Sequence, residues 1–467
     1  MARAKAEAEQ PANGMTLIVM VGLSIAFLLF MAFLNVVKSG SLLSETNLLF
    51  ATLIFYGGAA ALYLGFGVTG IESYVKFASL ATWLGLAANT AAVAHRWYEA
   101  GHPPFASVYE MLLSFVWTLA VLTLIAEKKY GVKVIGTVTM PVAIVGVVLM
   151  QLLRTEVHPL VPALQSTWLH VHVTLAMLAY AACALSFALA MMFLIQDNMK
   201  TETFLAVTSA STLAIYASIV LTRFEKWGGL SLVAWNPENK AEVFLSKGVR
   251  LFVTIPDLGW LMTLTLLAVA SPLVFYGLAR LQNNDSFLML ANRAVFLSIL
   301  LQVMTLAMFL VRANGGRYPS LDADGLFPTS LAASPFILSG LVGGVFISLL
   351  YLLLVWRRPD LGRLLPTADI LDRITYKTIC LAFPLLTLMI AAGAYWANQT
   401  WGSYWSWDPK ETWAAITWLV YALYLHMRIT RGWRGRRAAY FAIVGFAVVM
   451  FTFFGVTYLL PGMHAYA

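Results

Sequence analysis

Apolar residues occur in long blocks along this chain, separated by short segments that carry most of its charges. Each block is near or above the roughly 20 positions that a helix needs to cross the hydrocarbon core of a bilayer. The pattern predicts thirteen spans, near 15–37, 48–68, 75–94, 105–126, 134–153, 168–196, 204–222, 257–280, 289–311, 335–356, 372–396, 410–428 and 438–459. The weakest is 204–222, whose Ser and Thr content also suits a helix lying in the interface. The expected fold class is therefore an all-α polytopic membrane protein with about 13 transmembrane helices.

Composition agrees with that reading. Of the 467 residues, 60% are hydrophobic and 11% charged, with a mean hydropathy of +0.79, whereas about a quarter of a soluble protein is charged. The formal net charge of +8 does not point to nucleic acid, because the Lys and Arg lie in short loops where they orient spans. The basic loops EKKYGVK, WRRPDLGR and RITRGWRGRR place the N-terminus in the cytoplasm and the C-terminus outside. The outer segment 223–256 also carries basic residues and is long enough to be a small folded element. The first apolar run has no small-residue cleavage site, so the first span is expected to remain in the mature protein. Cys183 and Cys380 sit far apart within apolar runs, which argues against thiol redox chemistry or a cysteine metal site.

On this topology His95, His102, His158, His170, His172 and His464 fall outside, and His426 alone lies within a span near its inner end. The segment WGSYWSWDPKETW is the chain's densest aromatic cluster. Its Asp408-Pro409-Lys410-Glu411 turn reads as a helix start, with Asp408 as N-cap, Pro409 at the first helical position and Glu411 reaching back. Trp396, Trp401, Trp405, Trp407 and Trp413 go beyond what interfacial anchoring requires. They are expected to form a flat apolar shelf for a large planar ligand. Haem is the obvious candidate, and imidazoles are its usual axial ligands. His172, one turn beyond Trp168, and His464, after Pro461-Gly462, are the outer histidines expected to reach that shelf. His170 is the local competitor of His172. His426 has a bland reading as a helix C-terminal imidazole, but an ionisable group inside a span is a functional hypothesis by default.

WGSYWSWDPKETW followed by YLH, with the ending FTFFGVTYLLPGMHAYA, resembles the CcsA (ResC-type) proteins of cytochrome c synthesis, within the wider group of haem-handling proteins that share a WWD segment. The similarity covers roughly 75–200, including HRWYEAGHPPFASVYE and WLHVHVTLAMLAY, and roughly 368–467. The Lys-Glu-Thr after Asp-Pro favours this branch over CcmF and CcmC. The resemblance implies a bacterial cytoplasmic-membrane protein that works with a CcsB subunit. It further implies that haem b passes from the cytoplasmic side to the outer face, rests on Trp396, Trp401, Trp405, Trp407, Asp408 and Trp413 between His172 and His464, and is presented to apocytochrome c CxxCH motifs. His426 would bind haem within the membrane, with its second ligand expected from CcsB. The chain would then be a subunit of a haem lyase complex that forms thioether bonds.

That chemistry needs reduced iron, free thiols and close positioning, so no acid-base residue is assigned, and thiol-reducing proteins become candidate partners. Other outer polar residues, Arg96, His95, His102 and Arg154, are further candidates to meet haem propionates. The domain reading is 1–200, an inserted set of about four spans at 201–366 that shorter members lack, and a haem-handling segment at 367–467. The competing readings are an exporter of haem or another small planar solute without ligase activity, a respiratory cytochrome b, which needs paired membrane histidines, and a HemX-type regulatory protein, which would lack the tryptophan segment.

Overall fold

The computed structural model describes residues 44–152, 162–199, 201–223, 229–238, 241–245, 250–320, 322–456, 460 and 462. The expected first span at 15–37, Arg154, His158 and His464 lie outside these residues. Twelve α-helices occur among those described: α1 Glu45–Thr69, α2 Glu72–Ala100, α3 Val108–Tyr130, α4 Gly136–Leu152, α5 Thr167–Gln196, α6 Thr201–Arg223, α7 Pro256–Gln282, α8 Asp285–Ala313, α9 Pro335–Leu364, α10 Ala368–Trp401, α11 Pro409–Thr430 and α12 Arg436–Met450. Ten of these helices are long and apolar enough to cross a membrane, that within α6 over Phe204–Leu221 and that of α12 over Arg436–Gly455. The Ser- and Thr-rich run at 204–222 is one of them. The two others are α4, a shorter apolar helix, and α11, whose 22 residues mix tryptophans with Lys410, Glu411 and Arg428. The chain is an all-α, multi-pass membrane protein.

The described residues form two compact units. One contains residues 44–151, 162–198 and those from 357 on, and the other contains residues 199–356. In the first unit α5 is the central helix: it packs along α10 and against α12 and α3. Its sequence explains this, because Ala176, Ala179, Ala181, Ala182, Ala184, Ala188 and Ala190 are all buried. Small residues let neighbouring backbones approach closely, which is the main source of helix association where lipid is as apolar as leucine.

The second unit comprises α6, α7, α8 and most of α9. Its membrane helices are joined by hydrogen bonds between buried polar groups, Thr265 to Thr305 at 2.6 Å and Gln302 Nε2 to Ser348 Oγ at 3.0 Å. The same unit has a small β element: β1 Leu230–Val233 pairs antiparallel with β4 Phe252–Ile255, β2 Trp235–Asn236 with β3 Ala241–Glu242, and β5 Arg317–Pro319 with β6 Leu326–Pro328. Single bridges at Ala234–Thr329 and Val253–Ser320 join these ribbons.

Candidate functional site: an aromatic cleft around His172

The site lies within the first unit, where the start of α5, the second half of α10, the start of α11 and the end of α12 surround a cleft. Counting its open mouth, the cleft holds about 860 Å³ and is lined by His172, Met177, Tyr180, Met389, Gly393, Trp396, Tyr404, Trp405, Lys410, Glu411 and Phe453, among others.

His172 is half-buried, and its Nδ1 lies 2.7 Å from the backbone carbonyl oxygen of Met389. A carbonyl can only accept, so Nδ1 carries the proton and donates it. In the neutral ring the lone pair is then on Nε2, the nitrogen able to bind a metal. The ring lies 6.5 Å from the Trp396 ring at an interplanar angle of 24°. Trp396 is 2% exposed, and its indole N–H donates to the Ala163 carbonyl at 2.9 Å. The aromatic wall beside His172 is thus anchored from behind.

The five tryptophans separate into distinct places. Trp396 and Trp405 line the cleft. Trp401 packs edge-on against Trp396 at 4.9 Å, and Trp413 packs on Phe451 at 4.3 Å. Trp407 meets Trp405 edge-on at 5.9 Å and is 75% exposed. Its backbone has φ +60°, a left-handed conformation that is strained for a bulky side chain. The reason is Glu411, whose carboxylate accepts the amides on both sides of it, from Ser406 at 2.8 Å and Asp408 at 3.3 Å. This closes the turn and pushes the Trp407 indole outward.

Asp408 accepts from the Lys410 amide at 3.0 Å, so with Glu411 the capping box is complete and Pro409 sits in the first turn. The other carboxylate oxygen of Asp408 faces the C-terminal segment: a Cβ built on Gly462 would lie 2.4 Å from Asp408 Oδ2 and 3.1 Å from Pro409 Cδ. A larger residue at 462 would require the carboxylate or the tail to shift.

One contributor was hidden from sequence reasoning. The end of α12 opens into a π-helical turn, Phe451–Gly455, a feature that often marks functional sites. It carries Thr452 and Phe453 into the cleft wall, while the Thr452 hydroxyl bonds that of Thr417 at 2.9 Å. Tyr404, Met177 and Met389 were likewise missed, since nothing in an apolar run marks which residue will face a cavity.

The remaining predicted residues lie elsewhere. His170 sits against the Phe105 ring at 6.2 Å and does not line the cleft. His426 is exposed and belongs to one stripe of α11 with Leu419, Leu423 and Thr430. Nearby, Arg428 forms a two-pronged pair with Asp372 at 2.8 and 2.6 Å. Arg96 and His95 are at the end of α2, where Arg96 is 1% exposed and pairs with Glu110 and Glu45. The His102 ring lies 2.9 Å from the Pro103 carbonyl through Nδ1.

The fold and the site together describe a multi-pass helical membrane protein with a histidine-bearing aromatic cleft. A family model described as cytochrome c assembly protein matches residues 105–246 and 258–464. Among similar curated proteins, the cytochrome c biogenesis protein CcsA of Picosynechococcus sp. is 34% identical over 443 residues, covering 93% of this chain and 99% of that one. The CcsA proteins of Nostoc punctiforme, 34% identical over 90% of this chain and 94% of the relative, and of Microcystis aeruginosa, 32% over 93% and 99%, are similar too. The chain belongs to the cytochrome c assembly family, as a CcsA-type protein of cytochrome c biogenesis. Alignments of this extent run through the stretch 201–366, so these relatives share it.

Proposed function

We propose that this protein receives haem b and presents it for covalent attachment to the CxxCH motifs of apocytochrome c, acting with a CcsB subunit on the outer face of a bacterial cytoplasmic membrane. The single observation that carries the reading is the His172 ring in the aromatic cleft, with Nδ1 held by the Met389 carbonyl so that Nε2 is the nitrogen suited to a metal. A haem held by His172 would be enclosed by the aromatic lining of the cleft, to which Trp405, Tyr404 and Phe453 belong.

His464 is the second proposed ligand. Gly462, two residues before it, abuts Asp408 at the start of α11, and two residues of chain span at most about 7 Å. Asp408 therefore joins the tail to the tryptophan turn in addition to capping the helix. Lys410, at the cleft, is the cation suited to a haem propionate. The exposure of His426 on its helix suits a ligand whose second imidazole comes from a partner chain. Basic residues in the short loops support the outer placement of the cleft.

Attachment adds each cysteine S–H across a haem vinyl group: the C–S bond and a C–H bond form as the S–H and C=C bonds are consumed, with no net electron transfer. The protein's part is orientation, which can supply most of the acceleration for two groups held in line. The test is purification of His172→Ala, His464→Ala and the double variant. Loss of cytochrome c maturation and of the low-spin haem bands that survive His426→Gly, with the protein still in the membrane, is the expected result. A double variant that keeps both would refute the proposal.

A further inference from the structure

We propose that Gly393 is a positioning residue for the His172 imidazole, with the Met389 carbonyl as the group that fixes its tautomer; this rests on the reading of His172 as an iron ligand. The argument starts from space. A Cβ built on Gly393 would lie 2.6 Å from His172 Nδ1 and 2.8 Å from its Cε1, distances that real Cβ atoms essentially never show. The ring therefore occupies the volume that any other residue at 393 would fill.

The gap has a chemical consequence. Met389, Gly393 and Trp396 stand at i, i+4 and i+7 of α10, one stripe of the helix. Met389 supplies the acceptor for Nδ1–H at 2.7 Å, Gly393 supplies the access, and Trp396 supplies a ring nearly parallel to the imidazole. Without the access the ring could not reach the carbonyl, and neither the tautomer nor the direction of Nε2 would be fixed. A hydrogen bond from the far nitrogen also makes the ligating nitrogen a stronger donor to a metal. Helical packing by itself gives no reason for glycine, since alanine is the better helix former.

The experiment uses the full chain in a His426→Gly background, so that the cleft is read alone, and titrates it with ferric haem. Gly393→Ala should weaken haem binding about 10- to 100-fold and lose the bis-imidazole low-spin bands, while the haem-free protein remains inserted and folded. Unchanged affinity and bands overturn the inference, and so does loss of haem by a protein already unfolded before haem is added, which is a plain packing defect. A second arm uses His172→Gly supplied with imidazole or with 1-methylimidazole, which has no N–H to give to Met389. Imidazole should restore binding at about fivefold lower concentration, the worth of one ordinary hydrogen bond; equal rescue overturns the inference. His172→Ala separates the two levels. If it binds haem as the parent does, the underlying reading fails; if it loses haem while Gly393→Ala does not, only the role of Gly393 fails.

Discussion

Replacing Arg96 by Met tests whether the junction of α1, α2 and α3 depends on a buried charge. Arg96 is 1% exposed and gives Nε to Glu110 at 2.9 Å and Nη1 to Glu45 at 3.4 Å, these partners being 3% and 11% exposed. Removing one member of a buried ion pair typically costs about 3–5 kcal/mol, because the partner's charge stays buried without compensation. Here two carboxylates lose a partner, but each keeps another donor: the Ala106 amide to Glu110 at 2.7 Å and the Tyr109 hydroxyl to Glu45 at 2.8 Å. Those bonds place the expected cost at the lower end, about 3 kcal/mol, or roughly a hundredfold in the folded ratio. Glu110→Gln should cost less, about 1–2 kcal/mol, because a glutamine oxygen still accepts from Ala106 and Arg96 keeps Glu45. Unfolding in mixed micelles with rising SDS, followed by tryptophan fluorescence, measures both. The loop 101–107, which holds Phe105 against His170, should also become easier to cut with protease in the Arg96 variant. A loss below about 1 kcal/mol for Arg96→Met, or a larger loss for Glu110→Gln, would refute the ordering.

Two further outcomes follow from the tryptophan turn. Gly462→Ala must displace the tail by about 1 Å, the difference between the 2.4 Å it would have and an ordinary 3.4 Å contact, and such a shift can cost about a hundredfold in a positioned reaction. Cytochrome c yield should fall and be partly restored by Asp408→Ser, which keeps the cap but removes the crowding oxygen; full activity of Gly462→Ala alone would refute this. Glu411→Ala frees the Ser406 and Asp408 amides and should speed deuterium uptake across residues 403–410 about tenfold, as expected for losing a cap worth roughly 1 kcal/mol or slightly more. Unchanged exchange would mean that something else holds Trp407 outward.

Much of this was legible in the chain. The apolar blocks at 168–196 and 372–396 became α5, Thr167–Gln196, and α10, Ala368–Trp401, because each bilayer-length run must satisfy its own backbone hydrogen bonds. The Asp408-Pro409-Lys410-Glu411 start formed as read, because its bonds join residues two to three positions apart. The β5–β6 ribbon gave no signal, its strands being three residues each, too short for alternation to show. The π turn at Phe451–Gly455 was hidden too, in a run that reads as ordinary helix.

Sequence alone determined that the protein is a bundle of membrane helices, that its aromatic rings gather around one helix start, and which few histidines are available. Tertiary structure decided which of them meet. His172 and Met389 are 217 positions apart, so nothing local distinguishes His172 from His170. Likewise the packing of α5 on α10, with the gap at Gly393, brings Trp396 beside His172, whereas the local turn closed by Glu411 sends Trp407 outward. Periodicity and capping act within a few turns and survive in any context, whereas a cavity is made by surfaces from distant segments and exists only once the helices have packed.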